Sequence, residues 1–464
     1  DANHSSHAVS SQEMQVTRIE LPQLPEAVQQ AVRLIRQAGG RAWVVGGAVR
    51  DLMLGLAPDD FDLASDLTPP QLAKILPRPE MREASLGTCR ATIAGRELTV
   101  TTLRAESDYS DQRHPDEVTF VTDVSVDARR RDFTASAMCF DPIASALLDP
   151  CGGQRDLRAK SLRAIGEPAD RLREDPLRLL RMIRFAASAD LTIAPDLLEA
   201  ARQTASGLRS LSAERTFDEL TRCFTGRGRG RGLGLLVEAG LADVILPEVA
   251  AMDGVAQPPA YHPEGDVLVH VKLVLDHCPA GDKDLAWAAV LHDVGKPPTF
   301  RVAERIRFDG HDTLSAKMAD DILTRLRAPK ALRQRVCDIC LQHIRFAALP
   351  QMRPARAERW LRQPDFPLHL AFHRADCLGS HANMEIYEFA AQRLRELKPV
   401  HEPLIHGKDV LALGIEPGPI VGQLLAEVES KIEDSPVTLD REQALVLLRD
   451  EVTRHLQGRD GGAR

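Results

Sequence analysis

The fold of the first part of this chain is set by two segments, Val45-Gly-Gly-Ala-Val-Arg-Asp51 and Pro58-Asp-Asp-Phe-Asp-Leu-Ala64. The first contains the end of the apolar, β-prone run Ala42–Val45, so the pattern predicts a strand, a glycine turn and the start of a helix. Side chains two residues apart on a strand face the same side, which predicts that Asp60 and Asp62 lie together. Paired carboxylates bind hard cations such as Mg²⁺, and glycine N–H groups can approach a phosphate closely. The two segments therefore predict a metal-dependent phosphate site.

The composition is that of a globular protein with several domains. The 464 residues are 44% hydrophobic and 27% charged, which is enough chain for two to four domains with sizeable cores. Aromatic residues make up only 4%, which argues against a base-stacking surface of the type used by single-strand binders. The net charge of −8 argues against nonspecific coating of nucleic acid, although a local basic groove is compatible with it.

The cysteine pattern predicts a reducing compartment. Eight cysteines are scattered along the chain, and neither a signal peptide nor an apolar run of 18 residues is found. We therefore expect a cytoplasmic protein with no membrane partner. Cys337 and Cys340 form the only CxxC pattern, and they lie in a helical period without a second pair for zinc, so we interpret them as helix residues.

Hydrophobic periodicity changes along the chain and predicts its domains. Strand and turn signals alternate in the first third, whereas long helical patterns follow from about residue 168. Residues 226–232 read as a basic, glycine-rich connection. The predicted divisions are a flexible tail (1–23), an α/β head (24–155), a helical neck (156–225), a helical linker or body (226–260), a second metal-binding helical domain (261–397) and a helical tail with an RNA-contacting role (398–464).

Gly46-Gly-Ala-Val-Arg-Asp51 followed by Asp60-Phe-Asp62 resembles the head signature of the bacterial tRNA nucleotidyltransferase and poly(A) polymerase family, in the DNA polymerase β-like superfamily. The resemblance covers roughly residues 40–225. Three further motifs match in order: the ribose motif at Arg130-Arg-Asp-Phe-Thr134, the nucleotide-template helix at Glu174-Asp-Pro-Leu-Arg178 with Arg181 and Arg184, and the flexible loop at residues 104–120. The resemblance implies an α+β multidomain fold. It also implies that a polymerase β-like nucleotidyltransferase head with a mixed sheet precedes all-α neck, HD and tail domains.

The resemblance also implies residue roles. Asp60 and Asp62 are the expected catalytic ligands of Mg²⁺. The expected nucleotide contacts are Gly47 and Arg50 on the triphosphate, Arg131 on phosphate, Asp132 near the ribose, and Asp175, Arg178, Arg181 and Arg184 on the template helix. A bidentate contact to a base edge contributes roughly 1–3 kcal/mol of discrimination. The family usually has asparagine where this chain has Ser136, which puts that residue's usual contacts in doubt.

A second resemblance, to HD-domain metallohydrolases, covers roughly residues 262–385. It rests on six residues in the order H…HD…H…H…D: His270, His292, Asp293, His311, His343 and Asp376. The resemblance implies a first metal on His270, His292, Asp293 and Asp376, and a second on His311 and His343 with Asp293 bridging. Imidazole-rich ligands suit a transition metal such as Ni²⁺, Co²⁺ or Mn²⁺, and a metal-bound water would attack a phosphate ester.

Together the motifs predict a template-independent enzyme that adds CMP and AMP from CTP and ATP to the 3′ end of tRNA. The flexible loop favours complete CCA addition, A-addition or polyadenylation. The HD domain would add a phosphohydrolase activity on 2′,3′-cyclic phosphates or phosphate esters. Two alternatives remain open: a poly(A) polymerase, and an HD phosphodiesterase whose head is a regulatory RNA-binding module. The HD domain and the mixed charge of the tail argue against the first, and the intact aspartate pair argues against the second.

Overall fold

The computed structural model describes residues 15–107, 117–259, 262–397, 403–435, 437 and 439–460. The tip of the predicted flexible loop (108–116) and most of the predicted N-terminal tail (1–14) lie outside these residues. The described chain has one large mixed sheet followed by a long series of helices, which confirms the predicted α+β class.

The sheet of the head has eight strands, and all neighbouring pairs except one are antiparallel. Asp62–Ser65 pairs in parallel with Arg96–Thr102, so the sheet is mixed, as predicted. The spatial order of the strands is Gln15–Arg18, Ala146–Asp149, Cys139–Asp141, Ala42–Val45, Asp62–Ser65, Arg96–Thr102, Thr88–Ile93 and Glu80–Glu83.

Strand register brings the two motifs of the head together at one end of their strands. Ala42–Val45 is fully buried and pairs antiparallel with Asp62–Ser65, with Val45 opposite Asp62. The glycine turn that follows Val45 therefore lies beside the first residue of the second strand. The remaining head elements are the helices Glu26–Gln37, Gly47–Met53, Pro69–Ile75, Val124–Arg129 and Gly153–Arg158, the 3-10 turns Ala84–Leu86 and Thr134–Ser136, and the hairpin of Arg104–Ser107 with Glu117–Phe120.

The rest of the chain is helical apart from two small two-stranded sheets, Ser161–Leu162 with Thr192–Ile193 and Arg301–Val302 with Ile306–Arg307. The α-helices are Pro168–Glu174, Leu177–Ser188, Pro195–Thr204, Ala213–Thr225, Arg229–Glu238, Ala242–Ile245, Pro247–Ala250, Val267–His277, Lys283–Leu291, Lys296–Thr299, His311–Arg325, Lys330–Gln342, Pro354–Leu361, Phe366–Leu378, Glu385–Arg395, Gly407–Leu411, Pro419–Glu433 and Arg441–Asp460. Ala205–Ser210 and His343–Gln351 are 3-10 helices. Cys337 and Cys340 lie within one helix, as interpreted from the sequence. Among the described residues, no helix combines the length and apolarity needed to cross a lipid bilayer.

One apolar core runs from the head sheet through the neck helices to the Lys330–Gln342 helix. Trp287 is part of it and stacks on Phe217 at 5.4 Å between ring centroids, which ties the helix Lys283–Leu291 to the neck helix Ala213–Thr225. Three further cores are separate. One lies in the head around Trp43, one surrounds Phe346 and Trp360, and one lies among the last three helices around Val428.

The predicted connection at residues 226–232 is wrong in its second half, because a helix begins at Arg229 and continues to Glu238. The glycines there permit close helix packing. A Cβ on Gly230 would lie 2.4 Å from Asp276 Oδ2 and 2.5 Å from the carbonyl oxygen of Lys272. Sequence composition suggested a loop, but the facing helix Val267–His277 approaches so closely that only glycine fits.

Gly230→Ala should destabilise the protein by about 1–3 kcal/mol, because the added methyl group meets backbone that must shift. Gly234→Ala, in the same helix, is the matched control. Its Cβ would meet only the flexible end of Lys272 at 3.2 Å, and alanine is the better helix former by up to about 1 kcal/mol. Urea unfolding of both variants measures the difference, and equal stability would show that the close approach does not require glycine.

Candidate functional site

The carboxylate pair of the head lies at the start of a strand. The strand begins at Asp62, so Asp60 precedes it, and the expectation that both residues belong to one strand is wrong. Both side chains are exposed. The protein packed around Asp62 raises its pKa, Arg131 lowers it, and the Asp60 carboxylate raises it further. Two like charges in a partly dehydrated position form an environment that a divalent cation would neutralise, so the pair fits Mg²⁺.

Beside this pair, the glycine turn and Arg50 form a cluster of donors. Gly46 has a φ of +72° and precedes the helix Gly47–Met53. A Cβ on Gly47 would lie 3.5 Å from Arg50 Nη2, so the guanidinium sits against the turn. Asp51 Oδ1 accepts from Arg50 Nε and Nη2 at 2.9 and 2.7 Å. Arg50 Nη1 is buried without a hydrogen-bond partner among the described residues, which leaves one donor for an anion.

A phenylalanine that the sequence analysis did not single out organises the cations of the site. The guanidinium carbons of Arg50, Arg181 and Arg184 lie 5.1, 5.0 and 4.4 Å from the ring centroid of Phe185. Aromatic faces attract cations, so one ring gathers three positive charges from the head and the neck. A buried phenylalanine in a helical pattern reads as a core residue, and no sequence signal distinguishes this one.

The predicted ribose motif is held by acidic partners. Arg131 Nη2 pairs with Asp127 Oδ2 at 2.9 Å, and Asp132 Oδ2 accepts from Arg181 Nε at 2.5 Å. The latter contact joins residues 49 positions apart. Ser136 is buried, and its Oγ has no hydrogen-bond partner among the described residues. Asp127 was missed by sequence reasoning because it has the pattern of an ordinary helix carboxylate.

The two residues predicted to read the base have different side-chain partners in this structure. Arg178 is buried and donates to Glu174 Oε2 at 2.6 Å, whereas Asp175 pairs with Arg215 at 3.4 Å. Arg184 pairs with Glu219 at 2.5 Å. Arg215 and Glu219 are four residues apart on the helix Ala213–Thr225, so this one helix holds Asp175 and Arg184. The i, i+4 spacing of Arg215 and Glu219 was the only feature of the sequence that could have pointed to these two residues.

The second cluster brings all six predicted ligands together in a buried pocket. The two carboxylate oxygens of Asp293 face different histidine pairs. Oδ2 lies 3.7 and 3.2 Å from the Nε2 atoms of His270 and His292. Oδ1 lies 3.6 and 3.8 Å from those of His311 and His343. One oxygen of Asp293 therefore faces each half of the predicted ligand set.

Asp376 completes the first half of this cluster. Its Oδ1 lies 3.1 Å from His270 Nε2. Burial alone would lower the pKa of His270, but hydrogen bonds to Asp376 and Glu264 raise it to about 9. The pKa of His343 falls to about 4, because the residue is buried and faces His292.

Backbone contacts orient the histidines for metal binding. In three of them Nδ1 faces a carbonyl oxygen of the preceding turn, so the neutral ring carries its lone pair on Nε2. The contacts are His292 with Ala289 at 2.9 Å, His311 with Phe308 at 2.7 Å and His343 with Cys340 at 2.7 Å. The Nε2 atoms converge, with His270–His292 and His311–His343 separations of 3.2 and 3.3 Å. Without a metal a proton joins each pair of Nε2 atoms, and a divalent cation can take the place of that proton, so the cluster fits two divalent metals.

Sequence reasoning missed four neighbours of this cluster: Gln257, His262, Glu264 and Lys296. Lys296 Nζ lies 2.7 Å from Asp293 Oδ2 and donates to Gln257 Oε1 at 2.6 Å. Glu264 Oε1 lies 2.9 Å from Nδ1 of both His262 and His270. The adjacent motif His292-Asp-Val-Gly-Lys296 was a signal that could have identified Lys296.

Three family models match the chain in the order of its domains. They are the poly A polymerase head domain over residues 42–163, the probable RNA and SrmB-binding site of polymerase A over residues 190–252, and the HD domain over residues 267–378.

Individual proteins match over most of the chain. An A-adding tRNA nucleotidyltransferase of Deinococcus radiodurans is 34% identical over 83% of this chain and 89% of the relative. A multifunctional CCA protein of Burkholderia pseudomallei is 34% identical over 70% of this chain and 80% of the relative. A crystal structure of the Bacillus stearothermophilus CCA-adding enzyme in complex with CTP superposes with a TM-score of 0.72 at 25% identity, covering 93% of this chain and 98% of that one.

Proposed function

This chain belongs to the tRNA nucleotidyltransferase family, and we propose that it adds the CCA sequence to the 3′ end of tRNA from CTP and ATP. The observation that carries the proposal is the head site. There the Asp60/Asp62 pair, the glycine turn and the three cations around Phe185 meet at the junction of sheet and neck. An RNA-binding pocket without this pair would have no means of activating a triphosphate.

In the proposed reaction the RNA 3′ hydroxyl attacks the α-phosphate of the nucleotide and pyrophosphate leaves. Mg²⁺ bound by Asp60 and Asp62 would neutralise the phosphates and align the attacking oxygen. Arg50 and the N–H groups of the glycine turn hold the triphosphate. Arg131, fixed by Asp127, faces the same carboxylates and balances phosphate charge. Asp132 holds Arg181, which links the ribose motif to the template helix.

Nucleotide incorporation into tRNA lacking its CCA end tests this function. Purified protein is incubated with tRNA that lacks the whole CCA end, or with tRNA that lacks only the final A, and with each labelled NTP separately. We expect CMP addition to the first RNA and a single AMP addition to the second. The name of the Deinococcus relative favours a second candidate, A-addition alone, which would label only the second RNA. Long A tails on either RNA, or no addition to either, would rule out the proposal.

Asp175→Ala should weaken the choice among CTP, ATP, UTP and GTP more than it weakens triphosphate binding. The carboxylate reads the base edge, and Arg215 keeps it in place at 3.4 Å. Loss of one such contact corresponds to roughly 1–3 kcal/mol of discrimination, or about 5- to 150-fold in the relative kcat/KM values. Asp170→Ala is the matched control, since Asp170 is an exposed carboxylate on the preceding helix that pairs only with Arg173 among the described residues. Unchanged selectivity in the Asp175 variant would disprove the template role.

We also propose that the HD cluster is a second active centre that hydrolyses 2′,3′-cyclic phosphates or other phosphate esters at RNA ends. The bridging position of Asp293 and the four converging Nε2 atoms support it. The imidazole-rich ligand set favours Ni²⁺, Co²⁺ or Mn²⁺ over Mg²⁺.

A cytoplasmic location also remains a proposal, supported by eight cysteines that are all unpaired.

A further inference from the structure

The basic, glycine-rich motif at residues 226–232 lies where the head, the neck and the HD region meet. Its three arginines contact three different parts of the chain. Arg229 donates to backbone carbonyl oxygens of the HD region, and Arg231 donates to those at the end of the proposed template helix, Leu177–Ser188. Arg227 donates across to the head. The motif is therefore a junction between the domains rather than a loose connection.

Arg227 shares a buried carboxylate with the arginine that is proposed to hold the triphosphate. Arg227 Nη2 donates to Asp51 Oδ2 at 2.8 Å and to the carbonyl oxygen of Ala57 at 3.3 Å. The other oxygen of that carboxylate, Oδ1, accepts from both Nε and Nη2 of Arg50. The side chains of Asp51 and Arg50 are each 6% exposed, and that of Arg227 is 35% exposed. Asp51 therefore joins a cation of the head to one that lies 176 positions further along the chain.

The division of the two Asp51 oxygens determines how Arg50 is oriented. A guanidinium and a carboxylate form a strong pair when two N–H groups meet two oxygens. Because Arg227 occupies Oδ2, Arg50 directs both of its bonds to Oδ1, and its Nη1 has no hydrogen-bond partner among the described residues. Without Arg227, we expect Arg50 to turn toward a two-oxygen pair. That turn would move the guanidinium away from the glycine turn and from the Phe185 ring.

The backbone beside Arg227 ties this contact to the template helix. Gly228 has a φ of +65°, a conformation that favours glycine. A Cβ on Gly228 would collide with the carbonyl oxygen of Ala187, which lies in the helix Leu177–Ser188. The residue adjacent to Arg227 therefore packs directly against the helix that carries Arg181. In this way Arg227 links the proposed base-reading side of the nucleotide site to the proposed triphosphate side.

We propose that Arg227 is a positioning residue for nucleotide addition: it holds Asp51 and thereby keeps the unpaired donor of Arg50 directed at the triphosphate. The inference rests on the proposed nucleotide addition. It extends the triphosphate site to a residue of the neck, outside the matched head domain of residues 42–163. In this role Arg227 acts through Asp51 and Arg50 and not on the nucleotide itself. The triphosphate is then held most tightly when the head and the neck are docked.

The test is Arg227→Ala, assayed with CTP on tRNA lacking CCA and with ATP on tRNA lacking only the final A. KM for each nucleotide should rise at least about 5-fold, with kcat and KM for tRNA within about twofold of wild type, because the lost interaction holds the triphosphate in the ground state and the transition state alike. Arg227→Lys keeps a donor for Asp51 Oδ2 and should restore most of the affinity. In an Arg50→Ala background, Arg227→Ala should raise KM no further, because two residues that act as one unit are not additive. The matched control is Arg229→Ala, in the same motif, which should leave KM for both nucleotides unchanged.

Unchanged nucleotide KM values in the Arg227→Ala variant would overturn the assignment, as would an equal rise in the Arg229→Ala variant. A further rise in the Arg50→Ala background would show that Arg227 acts independently of Arg50, and a rise confined to KM for tRNA would show an RNA contact; either result also overturns it. Equilibrium binding of labelled CTP and ATP to the same variants measures the positioning without catalysis. If the wild-type protein adds no nucleotide to either RNA, the proposed function fails, while the binding comparison still decides the role of Arg227.

Discussion

Asp62→Ala or Asp60→Ala should reduce nucleotide addition to tRNA by at least about 10³-fold, because loss of a cation ligand at the transferring phosphate removes several kcal/mol of transition-state stabilisation. The expected loss is in kcat. Folding should be unaffected, because both side chains are exposed and the buried residues of the strand, such as Leu63, are unchanged.

Asp59→Ala is the matched control for this prediction. Asp59 is an exposed carboxylate adjacent to Asp60. Its backbone oxygen accepts from Arg96 Nη2 at 3.2 Å, and its carboxylate pairs with no other residue that the structure describes. The Asp59 variant should retain nearly wild-type incorporation at saturating Mg²⁺. Incorporation is measured with labelled CTP after chelation and Mg²⁺ restoration, and circular dichroism confirms folding. Near-wild-type activity of either the Asp60 or the Asp62 variant would remove the basis of the proposed active site.

The double variant His292→Ala/Asp293→Ala should lose hydrolysis of bis-p-nitrophenyl phosphate and of a 2′,3′-cyclic nucleotide, and should keep CCA addition within about twofold. Asp293 supplies oxygens to both halves of the cluster, so its removal affects both predicted metals. A residual rate below about 1% corresponds to a loss of roughly 2.7 kcal/mol or more. CCA addition should be retained when hydrolysis is lost, because the head site and the HD cluster lie on different elements of the chain and share no residue.

Asp293 is fully buried, so a gentler change and a second readout are needed. Asp293→Asn keeps the shape of the side chain and removes one charge. We expect it to lower the number of Ni²⁺, Co²⁺ or Mn²⁺ ions bound per chain, measured after dialysis by elemental analysis. His277 is an exposed histidine at the end of the Val267–His277 helix. His277→Ala should change neither the number of metal ions bound per chain nor the rate of hydrolysis. Wild-type metal content and hydrolysis in the double variant would falsify the assignment of His292 and Asp293.

The local parts of both sites were readable in the sequence. Three features depend on neighbours within a few residues, where periodicity and backbone conformation act directly. They are the glycine turn, the aspartate pair, and the adjacent His292 and Asp293 at a helix end. The family resemblance implied roles for motifs that lie far apart in the chain, and it also implied the α+β fold class. The interpretation of residues 226–232 failed because glycine is used both for loops and for close helix contacts. Composition cannot distinguish those two uses.

The contacts that complete each site depend on how separate elements pack. Phe185 gathers cations from two domains, Asp132 meets Arg181 across 49 residues, and the two oxygens of Asp293 divide between two histidine pairs. Sequence periodicity specifies which face of an element is buried, whereas the partner on that face follows from the packing of side chains in three dimensions.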